Sequence, residues 1–316
     1  MSKNMLRSLF VALSLGFFVN SAAFAAEMAV VMDGSRNPHN ETLEGLEGEL
    51  ADRGFDYSET IYDLSGSLSE SDIVSEINSL QPDVVLSMGS RATELMHREI
   101  GDIPVIFSIV LNPVEQGFID NVDSPGGNIT GVMLNIPARK QFEMIKEVLP
   151  DTERVGVMYD PMQSQQIIDE AEEEASAMGI SLLTQTVSEA AEVSNALDSF
   201  ISDGADVIWA IPDDTVYTSA SIRQVLLFSL RNEIPVAGFS KSFAQAGAVI
   251  GIYQDYFDIG RQTAEVAVRV LDGENPGNIP VVYPRELKFA LSQRVIDNFN
   301  ISVNQGVMRS AEHIFE

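Results

Sequence analysis

The run Ser87-Met88-Gly89-Ser90-Arg91-Ala92 joins an apolar, β-branched stretch to a helix-like one. A strand that ends in Ser-x-Gly-Ser and opens a helix turns free backbone N–H groups and hydroxyls toward an anion, so a ligand carboxylate fits there. The same residues also read as an ordinary helix cap by Ser90. A second group, Asp213 and Asp214, follows an apolar run ending at Ile211. Carboxyl ends of strands face the crevice in open α/β sheets, where a carboxylate can hold an ammonium group or cap the next helix. By the same position Asp33, Ser35 and Arg36, Ser108 and Asn112, Tyr159 and Asp160, and Phe239 and Ser240 are candidate cleft residues, beside Ser87, Gly89, Ser90 and Arg91. Each alone reads as a turn or cap residue; convergence of several such strand ends is what makes a pocket. Tyr159, Tyr217 and Phe239 are placed to flank an apolar or aromatic ligand group, whereas Trp209, within a strand, reads as core.

These groups suit capture better than bond breaking. Adjacent acids at a helix start point in different directions, and no partner carboxylate is identifiable across the cleft. Gly-x-Ser-x-Gly is absent, no Gly-Lys-Ser/Thr ending completes a phosphate cradle, and there is no cysteine to serve as nucleophile or metal ligand. His39, His97 and His313 are far apart, lack metal-ligand spacing and read as exposed or helix-surface residues. No catalytic residue, metal or cofactor is expected.

The elements that must position these groups come twice. Pro82-Asp83-Val84-Val85-Leu86-Ser87 followed by Ile103-Pro104-Val105-Ile106-Phe107 returns as Ala205-Asp206-Val207-Ile208-Trp209-Ala210 followed by Ile234-Pro235-Val236-Ala237-Gly238. Each copy has the pattern of a buried parallel strand, a crossover helix and another strand. Strands are expected at 28–33, 55–61, 83–87, 105–109 and 131–134, then at 154–159, 181–186, 207–211, 236–239 and 248–253, giving two lobes of five strands each. A helix over 138–148 joins the series, and a helix over 258–271 precedes a last strand–helix pair near 287–298. In two-lobed open α/β folds such late elements cross back and return. The expected first lobe is therefore 26–130 plus about 254–282, and the second 131–253 plus about 283–303. The hinge is several strands near Gly131, Tyr253 and Tyr283, and 304–316 shows no strong pattern and reads as a mobile tail.

Lys3 and Arg7 precede an apolar stretch over 9–19 and the small-x-small triplet Ala23-Phe24-Ala25, so residues 1–25 read as a cleaved secretory signal peptide. The stretch is short for a membrane span, and the absence of cysteine removes both a lipid anchor and any disulfide framework. The net charge of −28 disfavours nucleic acid and anionic membrane surfaces as partners. The acidic run at 169–174 is the solvated face of a helix, and so acidic a surface tolerates a high-salt habitat.

Four stretches resemble a known family, the substrate-binding proteins of tryptophan- and tyrosine-type ABC transporters. They are Ile103-Pro104-Val105-Ile106-Phe107 leading to Asn112-Pro113-Val114 and Gly117; Ser124-Pro125-Gly126-Gly127-Asn128-Ile129-Thr130-Gly131-Val132; Pro212 with Asp214; and Asp255-Tyr256-Phe257-Asp258-Ile259-Gly260-Arg261-Gln262. The resemblance implies an α/β, two-lobed type I periplasmic-binding fold, each lobe a parallel sheet flanked by helices. It further implies a monomeric periplasmic protein that closes on an amino acid, an aromatic one among the candidates, or a related carboxylate, and delivers it to an ABC permease in the inner membrane. Asp214 is the carboxylate the resemblance favours for a ligand ammonium. The family commonly has Asp-Pro-Val where this chain has Asn112-Pro113-Val114, which removes a charge near the cleft. A ligand-sensing module feeding a receptor has the same capture chemistry; a secreted α/β enzyme is disfavoured by the missing catalytic sets.

Overall fold

Runs such as Met28-Ala29-Val30-Val31 and Val84-Val85-Leu86 are apolar at every position, which suits strands covered on both faces. The computed structural model describes residues 25–316, so the signal-peptide expectation lies, up to residue 24, outside the described residues. The first lobe runs β1 (Ala26–Met32), α1 (Asn37–Asp52), β2 (Tyr57–Asp63), α2 (Glu70–Leu80), β3 (Val84–Met88), α3 (Ser90–Glu99), β4 (Val105–Val110) and β5 (Ile129–Met133). Its five strands are all parallel, in the order β2-β1-β3-β4-β5. Separate apolar clusters cover the two faces of this sheet.

The second lobe runs α4 (Ala138–Val148), β6 (Arg154–Tyr159), α5 (Pro161–Ala177), β7 (Ser181–Thr186), α6 (Val193–Asp203), β8 (Val207–Trp209), α7 (Ser219–Asn232), β9 (Val236–Gly238), α8 (Lys241–Ala246) and β10 (Ile250–Gln254). The chain then returns to the first lobe as α9 (Tyr256–Leu271), which lies against α1. A Cβ on Gly45 would stand 1.9 Å from the Phe257 carbonyl oxygen, and one on Gly260 1.9 Å from that of Thr42. Only glycine at both positions lets the two backbones approach so closely.

After α9 come β11 (Leu287–Ser292), α10 (Gln293–Asn298), α11 (Gln305–Ser310) and β12 (His313–Phe315). The second sheet therefore has seven strands, not five, in the order β12-β11-β10-β9-β8-β6-β7, with β11 antiparallel to β10. The segment expected as a patternless tail forms α11 and β12. Three-residue strands leave too little alternation in the sequence to be read. Residues 279–283 make only a single parallel bridge, Val132 with Val282, beside the first sheet.

The chain passes between lobes three times, at 134–137, at Gln254–Asp255 and at 284–286. At the third crossing Arg285 grips the buried Asp258 and Glu265 of α9, with its Nη2 2.9 Å from Asp258 Oδ1 and its Nη1 2.9 Å from Glu265 Oε1. Lys288 pairs with Asp255 at 3.0 Å across the second and third crossings. Beside them, Glu49 of α1 takes Arg53 at 2.8 Å and Arg261 at 2.7 Å. An ion-pair network thus pins the crossings to the α1–α9 pair.

Candidate functional site

The carboxyl ends of both sheets face one cleft, along which three neighbouring spaces lie, the middle one sharing lining residues with each of the others. Ser90, Asn112, Glu115 and Gln116 from the first lobe and Met162, Gln163, Pro212 and Asp214 from the second line a cavity of about 420 Å³. A small void of about 40 Å³ lies behind it, floored by Leu134, Asn135, Gln141 and Gln254 at the hinge. Beyond Phe239 and Gln254 a larger space of about 870 Å³ opens between α1 of the first lobe and α8, β10 and β12 of the second.

On the first lobe, the anion-binding end of α3 already holds an anion. Asp33, at the end of β1, accepts hydrogen bonds from the Arg91 N–H at 3.2 Å and the Ala92 N–H at 2.5 Å. Gly89, at φ 104°, makes this possible, since a Cβ there would stand 2.2 Å from Asp33 Oδ2. The expectation that several α3 N–H groups are free for a ligand carboxylate is corrected accordingly. What remains turned to the cleft is the Ser90 hydroxyl, which accepts from Gln116 Nε2 at 3.1 Å.

The neighbouring candidates are structural in their contacts. Ser87 is buried and shares a hydrogen bond with Thr93 Oγ1; Ser108 is buried with its hydroxyl unpartnered among the described residues. Arg91 pairs with Glu70 at 2.7 Å, and Arg36 is exposed at the start of α1. Ser35 donates through both its N–H and its hydroxyl to Asp63, as does Ser65, and these bonds hold the Asp63 carboxyl down at about 2. His39 is 5% exposed rather than on a surface, and burial lowers its pKa.

On the second lobe the two adjacent aspartates divide their tasks. Asp213, 3% exposed, accepts from the Asp160 N–H, the Ser164 hydroxyl and the N–H groups of Thr215 and Val216. Asp160 caps α5 through the Met162 N–H and accepts from Thr215 Oγ1 at 2.8 Å. Asp214 is exposed at the cavity wall, and its carboxylate has no hydrogen-bond or ion-pair partner among the described residues. Tyr159 is core, not cleft, whereas Phe239 stands at the cleft wall. Behind Phe239 lie Tyr217 and Phe243, edge-on at 6.0 Å and tilted at 4.7 Å. The Tyr217 hydroxyl is buried without a partner among the described residues, and burial drives its pKa up. Ser240 lines the larger space with its hydroxyl 2.8 Å from that of Ser242. Trp209 is core as expected, its Nε1 donating to Gln141 Oε1 at 2.9 Å.

The structure thus brings Ser90, Asn112 and Asp214 to one cavity and Phe239 and Ser240 to the larger space; Ser35, Arg36 and Arg91 are exposed outside both, and the other candidates are buried or half-buried in structural contacts. Sequence reasoning missed Gln116, Met162 and Gln163, and in the larger space Glu41, Lys288, Glu312, His313 and Phe315. Burial opposes the Lys288 charge, but the Asp255 contact, with Glu312 and Glu41 nearby, outweighs it and holds the pKa up. Strand ends are readable in a sequence; a wall built by the last strand, and glutamines with no charge pattern, are not. Among the described residues no cluster of His, Asp or Glu is placed to hold a metal ion, and no helix is long and apolar enough to cross a membrane.

Residues 27–315 match the family model described as ABC transporter substrate binding protein. A curated tyrosine-binding protein from Clostridioides difficile is 26% identical over 223 residues, 70% of this chain; the match spans 64% of that relative's length. Among solved structures, the ligand-free, open form of a Clostridium difficile substrate-binding protein with adhesive properties has TM-score 0.78 at 20% identity, covering 92% of this chain and 99% of that one. An ABC domain in complex with L-Trp from Streptococcus pneumonia has TM-score 0.65 at 21% identity, covering 92% and 100%. These likenesses show the fold, which is of the type I periplasmic-binding kind.

Proposed function

The chain belongs to the family of ABC transporter substrate-binding proteins, and on that premise we propose that it captures an amino acid, or a related small carboxylate, between its lobes as the binding component of an importer. It works in the periplasm after cleavage near Ala25 and delivers its ligand, chemically unchanged, to a permease in the inner membrane. The observation that carries the reading is that Ser90 and Asp214 enter one cavity from opposite lobes. A ligand with an ammonium and a carboxylate end bridges them: the unpaired Asp214 carboxylate takes the cation, and the Ser90 hydroxyl, oriented by the Gln116 amide that donates to its oxygen, donates to the anion. Bridging makes the closed arrangement the one that binds best, so the ligand shifts the lobes toward it. The tyrosine-binding relative supports an aromatic amino acid, and the Phe239 ring at the wall supplies an apolar surface for its side chain.

A thermal-shift screen of amino acids and keto acids identifies the ligand, and calorimetric titration of variants tests the assignment. Asp214→Ala is expected to weaken binding by about 2–4 kcal/mol, roughly 30- to 1000-fold, because the ligand ammonium is left without its partner. Ser90→Ala costs less, about 1 kcal/mol. An Asp214→Ala variant that binds an amino acid as tightly as the parent, or a parent that binds only amine-free ligands, overturns the reading.

A further inference from the structure

Away from the three crossings, the hydrogen bonds of the described residues include one that joins lobe to lobe: Asn112 Nδ2 donates to the Gln163 backbone carbonyl on α5 at 3.3 Å. The same side chain also meets the hinge. The Asn112 N–H donates to Asn135 Oδ1 at 2.8 Å, and Asn135 Nδ2 donates to Asn112 Oδ1 at 2.5 Å. This fixes both amide orientations. Because Asn135 must present oxygen to the Asn112 N–H, its nitrogen faces Asn112 Oδ1, which leaves the Asn112 nitrogen for Gln163. Gln163 is itself tied into the second lobe, its Nε2 2.6 Å from Thr215 Oγ1 and its Oε1 accepting from the Asp214 N–H at 3.2 Å.

The backbone holds Asn112 there at a cost. β4 ends in a bulge between Phe107 and Val110, with Ile109 at φ 57° and Asn112 at φ 50°. Asparagine tolerates the left-handed region; a β-branched isoleucine does so only under strain. The Leu134 N–H to Val110 carbonyl bond at 2.7 Å then fastens the bulge to the first crossing.

We propose that Asn112 is a positioning residue, a clasp that couples the first crossing to α5 and sets the distance between the lobes from which capture begins; its link to ligand affinity rests on the capture reading above. The role needs an amide. A carboxylate at this position still accepts from Asn135 but has no donor for the Gln163 carbonyl and places charge against it. Glycine keeps the left-handed φ and loses both contacts.

The cysteine-free chain allows a clean distance measurement, with spin labels on Glu94→Cys of α3 and Glu172→Cys of α5. In the ligand-free protein, Asn112→Gly and Asn112→Asp are each expected to broaden and lengthen the label-to-label distribution, the aspartate at least as much as the glycine. A role confined to holding the loop gives the reverse order, because aspartate keeps the Asn135 contact, and that order overturns the clasp, as does an unchanged distribution. Should either variant fail to fold, Asn135→Asp, which sets a carboxylate oxygen against Asn112 Oδ1 and so draws the Asn112 nitrogen away from the Gln163 carbonyl, must produce the same broadening; its absence overturns the proposal. With L-tyrosine as probe, the Asn112 variants are expected to bind about three- to tenfold more weakly than the parent. A parent that ignores L-tyrosine counts against the aromatic ligand, while the label distances still decide the clasp.

Discussion

Each lobe uses an aspartate to tie the end of one strand to the helix that follows its neighbour, but the two ties run in opposite directions. In the first lobe Asp33, after β1, reaches the N–H groups that open α3 beyond β3. In the second, Asp213, after β8, reaches back to the Asp160 N–H and Ser164 hydroxyl where α5 opens beyond β6. The first lobe thereby fills its own anion site, whereas the second satisfies its helix start with a buried acid and still turns Asp214 to the cleft. The first lobe also has no lysine among its described residues; Lys140, Lys146, Lys241 and Lys288 all belong to the second. Similar strand–helix units therefore leave different groups exposed at the cleft: the first has engaged its helix N–H groups with its own acid, and the second keeps a spare carboxylate.

The comparison is broken most directly at Asp213. Asp213→Ala strands buried donors and is expected to cost about 3 kcal/mol, lowering the melting temperature by roughly 6–12 °C. Calorimetry that finds the same loss as for Asp33→Ala would show the two ties to be equivalent, and a smaller one would reverse their ranking. Asp33 is only half-buried and acts as a helix cap, so Asp33→Ala should cost about 1–2 kcal/mol. The same change frees the Arg91 and Ala92 N–H groups, and affinity for a carboxylate ligand should rise or hold, opposite in sign to Asp214→Ala. Weaker binding in the Asp33→Ala protein would instead place that carboxylate among the ligand contacts.

A smaller effect sharpens the comparison through pH. Burial, and then the Glu47 carboxyl, push Glu59 on β2 up to about 7. Its folded pKa lies above the unfolded value, so its contribution is fully present below about pH 4.5 and is lost as pH rises through 7. Asp63, held at about 2, works the other way: its contribution is present above about pH 4 and is lost as pH falls toward 2. Glu47→Gln should therefore stabilise the protein at pH 8 by less than about 1 kcal/mol after solvent screening, and not at pH 4. Urea midpoints of parent and variant at the two pH values check this, and equal gains at both would remove Glu59 from the account.

The two-lobed plan was legible because buried parallel strands repeat as apolar runs: the two echoing segments are β3–β4 and β8–β9, adjacent pairs in their sheets. Strand ends, and hence Ser90, Asn112 and Asp214, followed from that periodicity. What escaped depends on distance in the chain. Nothing near Asp33 announces that its carboxylate crosses to Ala92, nothing near His39 that it is buried, and β12 is too short to show alternation. Asn112 was read for the charge it lacks, while its contacts show an amide using its donor and its acceptor at once.

The α1–α9 contact has a consequence for the order of events in synthesis. Gly45 and Gly260 meet although more than half the chain separates them, and β11 and β12 close the second sheet later still. A chain emerging from the ribosome N-terminus first therefore holds a first sheet with one apolar face uncovered until α9 appears, and a second sheet with its β10 edge unpaired until β11 and β12 appear. Completion of each lobe thus waits on segments that lie far along the chain from the strands they cover or extend, which favours late over early folding of both.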